Sequence, residues 1–456
     1  MNRILHFLVG SIALVCAALS LASPAVAQAP SPEVAALRAR CGTLATQART
    51  ACYDQQLLAL LEKAGVAPTM KVLEQLGEAD QEVRREGHLY AHSIGLAAFR
   101  GADQVGATFG ECTPIFQSGC YHGVIQSYFV DLMGAKGPEA VTADAVNALC
   151  ASYRGNAATR WLLFQCVHGI GHGFATVHQH NLPRMLAGCD LLRESWERDG
   201  CYGGAFMENV VQATAPHHMV GRPEEAGDEH AGMDHGDMAG MDHEAMGHGT
   251  SATEAPYKML DKDDPHYPCN TLDSRYLRSC YGMQTSAILW FNGGDVPATA
   301  KACDGAPEEV RTACYQSLGR DISSYTLQNH ARAAQLCSNG DPAYQPWCHV
   351  GYTKNLIDLD ANAADGIAYC RSLTDVAAKT ACYRAVGEET WVLTDDREKR
   401  RAWCATAEEP YREECSLAAG LGTFGIGNRE QGTGNSGLRI EGVGNNGEQP
   451  GTSRQD

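Results

Sequence analysis

Cysteine spacing constrains this chain more than any other feature of its sequence. Eighteen cysteines fall into nine close pairs: Cys41 with Cys52, Cys112 with Cys120, Cys150 with Cys166, Cys189 with Cys201, Cys269 with Cys280, Cys303 with Cys314, Cys337 with Cys348, Cys370 with Cys382, and Cys404 with Cys415. The second members of the last five pairs stand at 280, 314, 348, 382 and 415, in steps of 34, 34, 34 and 33 residues. Counting back, 52 to 86 and 86 to 120 are also steps of 34, so Glu86 occupies the cysteine position of a copy that has lost its pair. The remaining steps, 46, 35 and 79, mark two copies with insertions. A period near 34 is that of a helical hairpin that buries its apolar face only against its neighbours. Pro307, Glu308 and Glu309 follow Cys303 as the first turn of a helix should begin, and Cys314 rides on that helix. A disulfide within each copy then ties the end of one helix to the first turns of the next. Sequence alone does not fix connectivity; the repetition is what favours local pairing. Each staple closes a loop of about a dozen residues and contributes about 2–3 kcal/mol. The expected fold is all-α, a disulfide-stapled right-handed superhelix or toroid of about ten hairpins.

The period resembles that of tetratricopeptide and Sel1-like repeats, although their Trp/Leu/Gly/Tyr signature is missing. A closer resemblance lies in Cys120-Tyr-His-Gly, in Cys166-Val-His-Gly-Ile-Gly-His-Gly and in Cys201-Tyr-Gly-Gly-Ala-Phe-Met-Glu-Asn. These are similar to motifs of uncharacterised exported bacterial proteins, over roughly residues 86–210. That resemblance implies export and no particular activity.

Residues 1–27 read as a secretory signal. Arg3 supplies the positive end, Ile4 to Ala22 is mostly apolar, and Ala25-Val26-Ala27 is a cleavage site that leaves Gln28 first. The apolar run is short for a membrane span, so no membrane anchor is expected after its removal. Of 19 cysteines, Cys16 falls in the signal, and the even remainder suits disulfides in a periplasmic or secreted protein. C-x-x-C pairs are absent, as is the C-x-x-C-H of c-type haem. With 36 Lys+Arg against 54 Asp+Glu and no basic run, nucleic acid is not an expected partner. The domain reading is N-terminal repeats over 28–212, a disordered insertion over 213–266, C-terminal repeats over 267–421 and a disordered Gly-rich tail over 422–456.

The repeat register isolates a chemical feature. Positions two and six after the second cysteine, or its equivalent, are His88 and His92, His122 and Gln126, and His168 and His172 in three successive copies. In the other copies they are Asp54/Leu58, Gly203/Met207, Gly282/Ser286, Gln316/Arg320, Val350/Lys354, Arg384/Glu388 and Leu417/Leu421. The scaffold therefore does not need imidazole there. Positions four apart share one helix face, and packed helices run about 8–10 Å apart. Imidazoles from adjacent helices can thus meet on one ion or two, with His122 central. The alternative is that these histidines cap helices or satisfy buried carbonyls. Glu208, one residue past Met207, reads as a further ligand, as an acceptor for a ligand's ring N–H, or as a plain helix-face carboxylate. Few oxygen ligands are available for a di-iron centre, and H-E-x-x-H is absent.

Imidazole alone does not choose between copper, zinc and iron. The insertion does: Met233, His235, Met238, Met241, His243, Met246 and His248 recur among Gly and Asp, with few large aliphatics. Thioether sulfur is soft and selects Cu(I). The segment resembles Met/His-rich stretches of periplasmic copper-resistance proteins, which implies accessory copper binding. The leading expectation is a periplasmic copper protein, for copper handling or copper-dependent oxidation. In the oxidase form His122, His168 and His172 hold one copper, and His88 and His92 another. The alternatives are a zinc-dependent hydrolase with Glu208 as base, and a non-enzymatic scaffold with structural metal that binds a protein partner along its repeat surface. The C-terminal repeats show no cluster comparable to the histidines and read as scaffold or docking surface.

Overall fold

A computed structural model describes residues 31–214 and 257–422. The signal segment, nearly all of the tail and the Met/His run from Met233 to His248 lie outside the described residues. Those residues form helices and turns, with no strand among them.

Among the described residues ten hairpins follow one another in chain order. They are α1 (Pro32–Cys41) with α2 (Thr46–Ala64); α3 (Val66–Ala79) with the short α4 (Gln81–Arg85) and α5 (Gly87–Ala98); α6 (Val105–Glu111) with α7 (Gly119–Lys136); α8 (Ala143–Leu149) with α9 (Arg160–Val177); and α10 (Leu182–Cys189) with α11 (Ser195–Thr214). Beyond the insertion a 3₁₀ turn at Cys269–Thr271 precedes α12 (Ser274–Phe291). Then come α13 (Val296–Asp304) with α14 (Glu308–Tyr325), α15 (His330–Leu336) with α16 (Gln345–Asp360), α17 (Ala364–Ser372) with α18 (Val376–Leu393), and α19 (Arg397–Ala405) with α20 (Arg412–Ala418). Aspartate or asparagine caps start many of them: Asp295, Asn329 and Asp375 each accept from the backbone N–H three residues on.

All nine cysteine pairs are disulfides, each within one hairpin and separated by 8 to 16 residues. In the N-terminal half Cys41 bonds Cys52, Cys112 bonds Cys120, Cys150 bonds Cys166, and Cys189 bonds Cys201. Beyond the insertion Cys269 bonds Cys280, Cys303 bonds Cys314, Cys337 bonds Cys348, Cys370 bonds Cys382, and Cys404 bonds Cys415. Each joins the end of a hairpin's first segment to the early part of its long helix. Nine disulfides are the mark of an oxidising compartment rather than of the cytosol. The tyrosine after the second cysteine is buried and in several copies turns its hydroxyl back on the preceding segment. Tyr121 donates to the Cys112 carbonyl at 3.0 Å, and Tyr202 and Tyr315 donate to Asp190 and Asp304. Among the described residues no helix is long and apolar enough to cross a membrane.

The long helices pack in chain order, α5 on α7, α7 on α9, α9 on α11, and onward through α12, α14, α16, α18 and α20. Their backbones come very close. A Cβ added at Gly123 would stand 2.3 Å from the His92 carbonyl, and one at Gly204 would stand 2.1 Å from that of His168. Glycine here sets the interhelix distance, which is why helices with poor intrinsic propensity are used.

The array also returns on itself. Phe116 and Gln117, in the turn before α7, donate their backbone N–H groups to Leu359 and Asp358 at the end of α16, at 2.9 and 3.1 Å. Arg84 pairs with Asp360 at 2.7 Å, and Arg160 stacks over Trp391 at 3.9 Å. One expected boundary moves. The reading of 213–266 as one disordered insertion fails at its end: Leu260 is buried against Val210 and Ala287, and Asn209 donates to the Met259 carbonyl at 3.1 Å. The local run Tyr257, Met259 and Leu260 supplies the apolar surface that the Met/His stretch lacks.

Candidate metal centre

The close approach of α5, α7, α9 and α11 brings the five register histidines into one cluster. Ring centroids lie 4.6 Å apart for His122 and His168, 5.1 Å for His122 and His172, and 5.2 Å for His168 and His172. His88 lies 5.5 Å from His122, and His92 lies 5.5 Å from His172. All but His88 are buried.

Three of the five converge. One ring nitrogen from each of His122, His168 and His172 lies within 4.8 Å of the others, a group able to hold a metal ion. Nitrogens bound at about 2.1 Å to one tetrahedral ion stand about 3.4 Å apart, so modest side-chain shifts close the group on an ion. Each ring is held from behind. Glu208 Oε2 meets His172 Nδ1 at 2.8 Å, Gln165 Oε1 meets His122 Nε2 at 2.9 Å, and His168 bonds the backbone of Gly200. The opposite nitrogens, His172 Nε2, His122 Nδ1 and His168 Nε2, are buried without a hydrogen-bond partner. Metal-ligating histidines likewise set one ring nitrogen on an acceptor and keep the other for the ion. A buried polar atom left unpaired costs about 1–3 kcal/mol, so three within one histidine cluster need a common explanation.

Electrostatics agrees with that geometry. Burial, and then the neighbouring imidazoles, hold His122 and His168 well below the usual histidine range. Both rings are therefore neutral at physiological pH and present a lone pair, the form that binds metal.

The other expected site residues fall around this triad. His88 Nδ1 meets the Phe116 carbonyl at 3.1 Å, and His92 packs against His172. Neither belongs to the converging group. Glu208, expected as a ligand, as an acceptor for a ligand's ring N–H or as a plain carboxylate, lies in contact with His172 Nδ1. Gly203, at position two of the next copy, lies beside the His168 ring: an added Cβ would stand 3.4 Å from its Nδ1, an ordinary contact. Sequence reasoning passed over Gln165 and Gly200. The signal for Gln165 was present, as the polar residue in the run Trp161-Leu-Leu-Phe-Gln-Cys-Val.

The C-terminal repeats also differ from expectation, because the same register there is polar. Arg320 reaches Asp321 at 2.7 Å and Ser286 at 2.8 Å, and Asp321 accepts from Thr285 at 2.7 Å. Lys354 pairs with Glu388 at 3.2 Å, and Arg384 with Glu388 at 3.2 Å. Burial, and then the Glu389 carboxylate, push the Asp358 carboxyl well above its usual range. These groups vary in type from copy to copy, so no repeated letter announced them. Compared with known protein families, curated proteins and solved structures, the chain shows no match to any of them.

Proposed function

We propose that this protein binds a transition metal, copper, at His122, His168 and His172 in a bacterial periplasmic or secreted setting, for copper handling or copper-dependent oxidation. The observation that carries the reading is the set of three buried imidazole nitrogens without partners, each opposite an orienting acceptor. The nine disulfides support the compartment. The thioether and imidazole side chains of Met233, His235, Met238, Met241, His243, Met246 and His248 support copper as the metal and accessory copper binding as their role. His88 and His92 extend the cluster on the side of His122 and His172.

A three-histidine site is also the ligand set of catalytic zinc. In that reading Glu208 would serve as base for a zinc-bound water. Its Oε2 is instead engaged by His172 Nδ1 at 2.8 Å, which favours copper handling over hydrolysis. The test is metal analysis and EPR of protein exported with its disulfides, with and without residues 215–256. Copper retained by the deleted form supports the proposal. Zinc with a silent spectrum supports the hydrolase, and a folded metal-free protein supports the scaffold.

A further inference from the structure

We infer that the ion at His122, His168 and His172 takes its fourth ligand from solution, a water or another small molecule bearing an O–H or N–H. Gln126 accepts the hydrogen bond of that ligand. The inference rests on the metal reading and adds to it an exchangeable position, which a purely structural metal would not have.

Three imidazoles leave a tetrahedral ion one position short, and sites with three protein ligands are those that exchange water or substrate. Among the described residues the converging group contains no fourth member. Gln126 stands one helical turn beyond His122 on α7, on the same face. Its neighbours in the helix fix that face. Gly123 packs on the α5 backbone at His92 and Leu96, while Ile125 and Phe129 pack on Gly169 and Gly173 of α9. Residues 122 and 126 lie between those two contact lines, on one face of α7. Gln126 is 4% exposed, and its Oε1 is buried without a hydrogen-bond partner.

The register sharpens the point. At position six, the copies on either side carry His92 and His172, and only the middle copy carries an amide. A carbonyl oxygen is a weak ligand for copper beside imidazole, but it is a good acceptor. Left unpaired and buried, it destabilises the fold. A metal-bound water within its reach satisfies that oxygen and is itself ordered. The ligand class follows: a donor of hydrogen small enough for a buried site.

The test uses the full chain loaded with cobalt(II), whose visible spectrum reports its ligands. The spectrum of His168→Ala/His172→Ala protein is subtracted to remove cobalt held elsewhere. X-ray absorption of the parent should count three imidazoles and one further oxygen. Azide, which has no hydrogen to offer Gln126, should displace that ligand and shift the visible bands with one-to-one stoichiometry. Gln126→Leu should keep cobalt and the three imidazoles, yet bind azide about five- to tenfold more tightly, the worth of one neutral hydrogen bond. Four or more imidazoles with no oxygen, or bands insensitive to azide, overturn the inference while leaving the metal reading intact. Unchanged azide affinity in Gln126→Leu overturns the role of Gln126. Failure of the parent to bind cobalt more than the double variant overturns the metal reading itself.

Discussion

The two halves of the molecule use one register in opposite ways. From α14 to α18, position six carries Arg320, Lys354 and Glu388, and each closes on a charge in the protein: Arg320 on Asp321, and Lys354 and Arg384 on Glu388. From α5 to α9 five of the six residues at positions two and six carry imidazoles, and His122, His168 and His172 each bury one ring nitrogen without a hydrogen-bond partner. The scaffold, the staples and the close helix approach are shared. The difference lies in what completes the polar groups: protein in the C-terminal half, whereas the N-terminal half leaves three imidazoles grouped as a metal ion would need them. A repeat array can thus place a site on a few copies and keep the others as a polar, self-satisfied seam.

Acid should break both halves, and metal should protect only one. Burial holds His349 on α16 down to about 4, against an ordinary value of 6.5. Between those values the unfolded chain binds the proton and the folded one does not. Stability from this group is therefore complete above about pH 6.5 and is lost as pH falls towards 4, by on the order of 3 kcal/mol. Burial also depresses His122 and His168, so they share the sign. Denaturant unfolding at pH 7 and 4.5 should show the loss. Metal loading should raise stability at both pH values without removing the loss, because the folded ligands are already neutral, and His349→Gln should remove the part that belongs to His349. An acid loss unchanged in His349→Gln contradicts the assignment.

The staples offer a second contrast. Replacing Cys150 and Cys166 with serine, or Cys370 and Cys382, should cost about 2–3 kcal/mol in either half. Only the first pair holds the helix that carries His168 and His172. Loss of the Cys150 to Cys166 bond should lower metal affinity, while loss of the Cys370 to Cys382 bond should leave it unchanged. Isothermal titration beside thermal unfolding separates the two effects, and equal affinities in both variants would show that the staple does not position the site.

Smaller effects come from the groups behind the ligands. Glu208→Leu should weaken metal binding by about 10–100-fold with the helices intact, and Glu208→Gln, which keeps an acceptor oxygen, by less. Competition with a chelator of known affinity measures both; a Glu208→Leu protein as tight as the parent removes the orienting role. Lys354→Met should have the least consequence. Its side chain is 27% exposed, so a stability loss of about 1 kcal/mol is expected, with metal affinity unchanged. Altered affinity there would mean that the halves are coupled through α16.

The hairpin array was legible because its signal is local and repeated. Cysteines recur at one step, and pairing partners lie within a dozen residues or so, as Cys303 and Cys314 do. The five histidines were legible for the same reason, since the register aligns them on neighbouring helices. The return of the array on itself was not legible. It depends on backbone bonds such as Phe116 to Leu359, between segments far apart in the chain, and backbone groups leave no letter in the sequence. The seam on α14 to α18 was missed because Arg320, Lys354 and Glu388 share a position but not a chemistry. Glu208 was seen, and its three readings could be narrowed only once His172 was placed beside it.

The claim that the triad is a metal site stands or falls on its ligands. Copper affinity and stoichiometry should be measured on protein lacking residues 215–256, with His168 and His172 intact and with both replaced by alanine. Far-UV circular dichroism should confirm that the stapled helices persist in each. The account predicts that the double variant loses the tight core ion entirely, with affinity down by more than about 100-fold, since changes behind a ligand alone reach that scale. If the double variant binds the same number of ions with the same affinity, the histidines are structural and the copper reading rests on the Met/His segment alone.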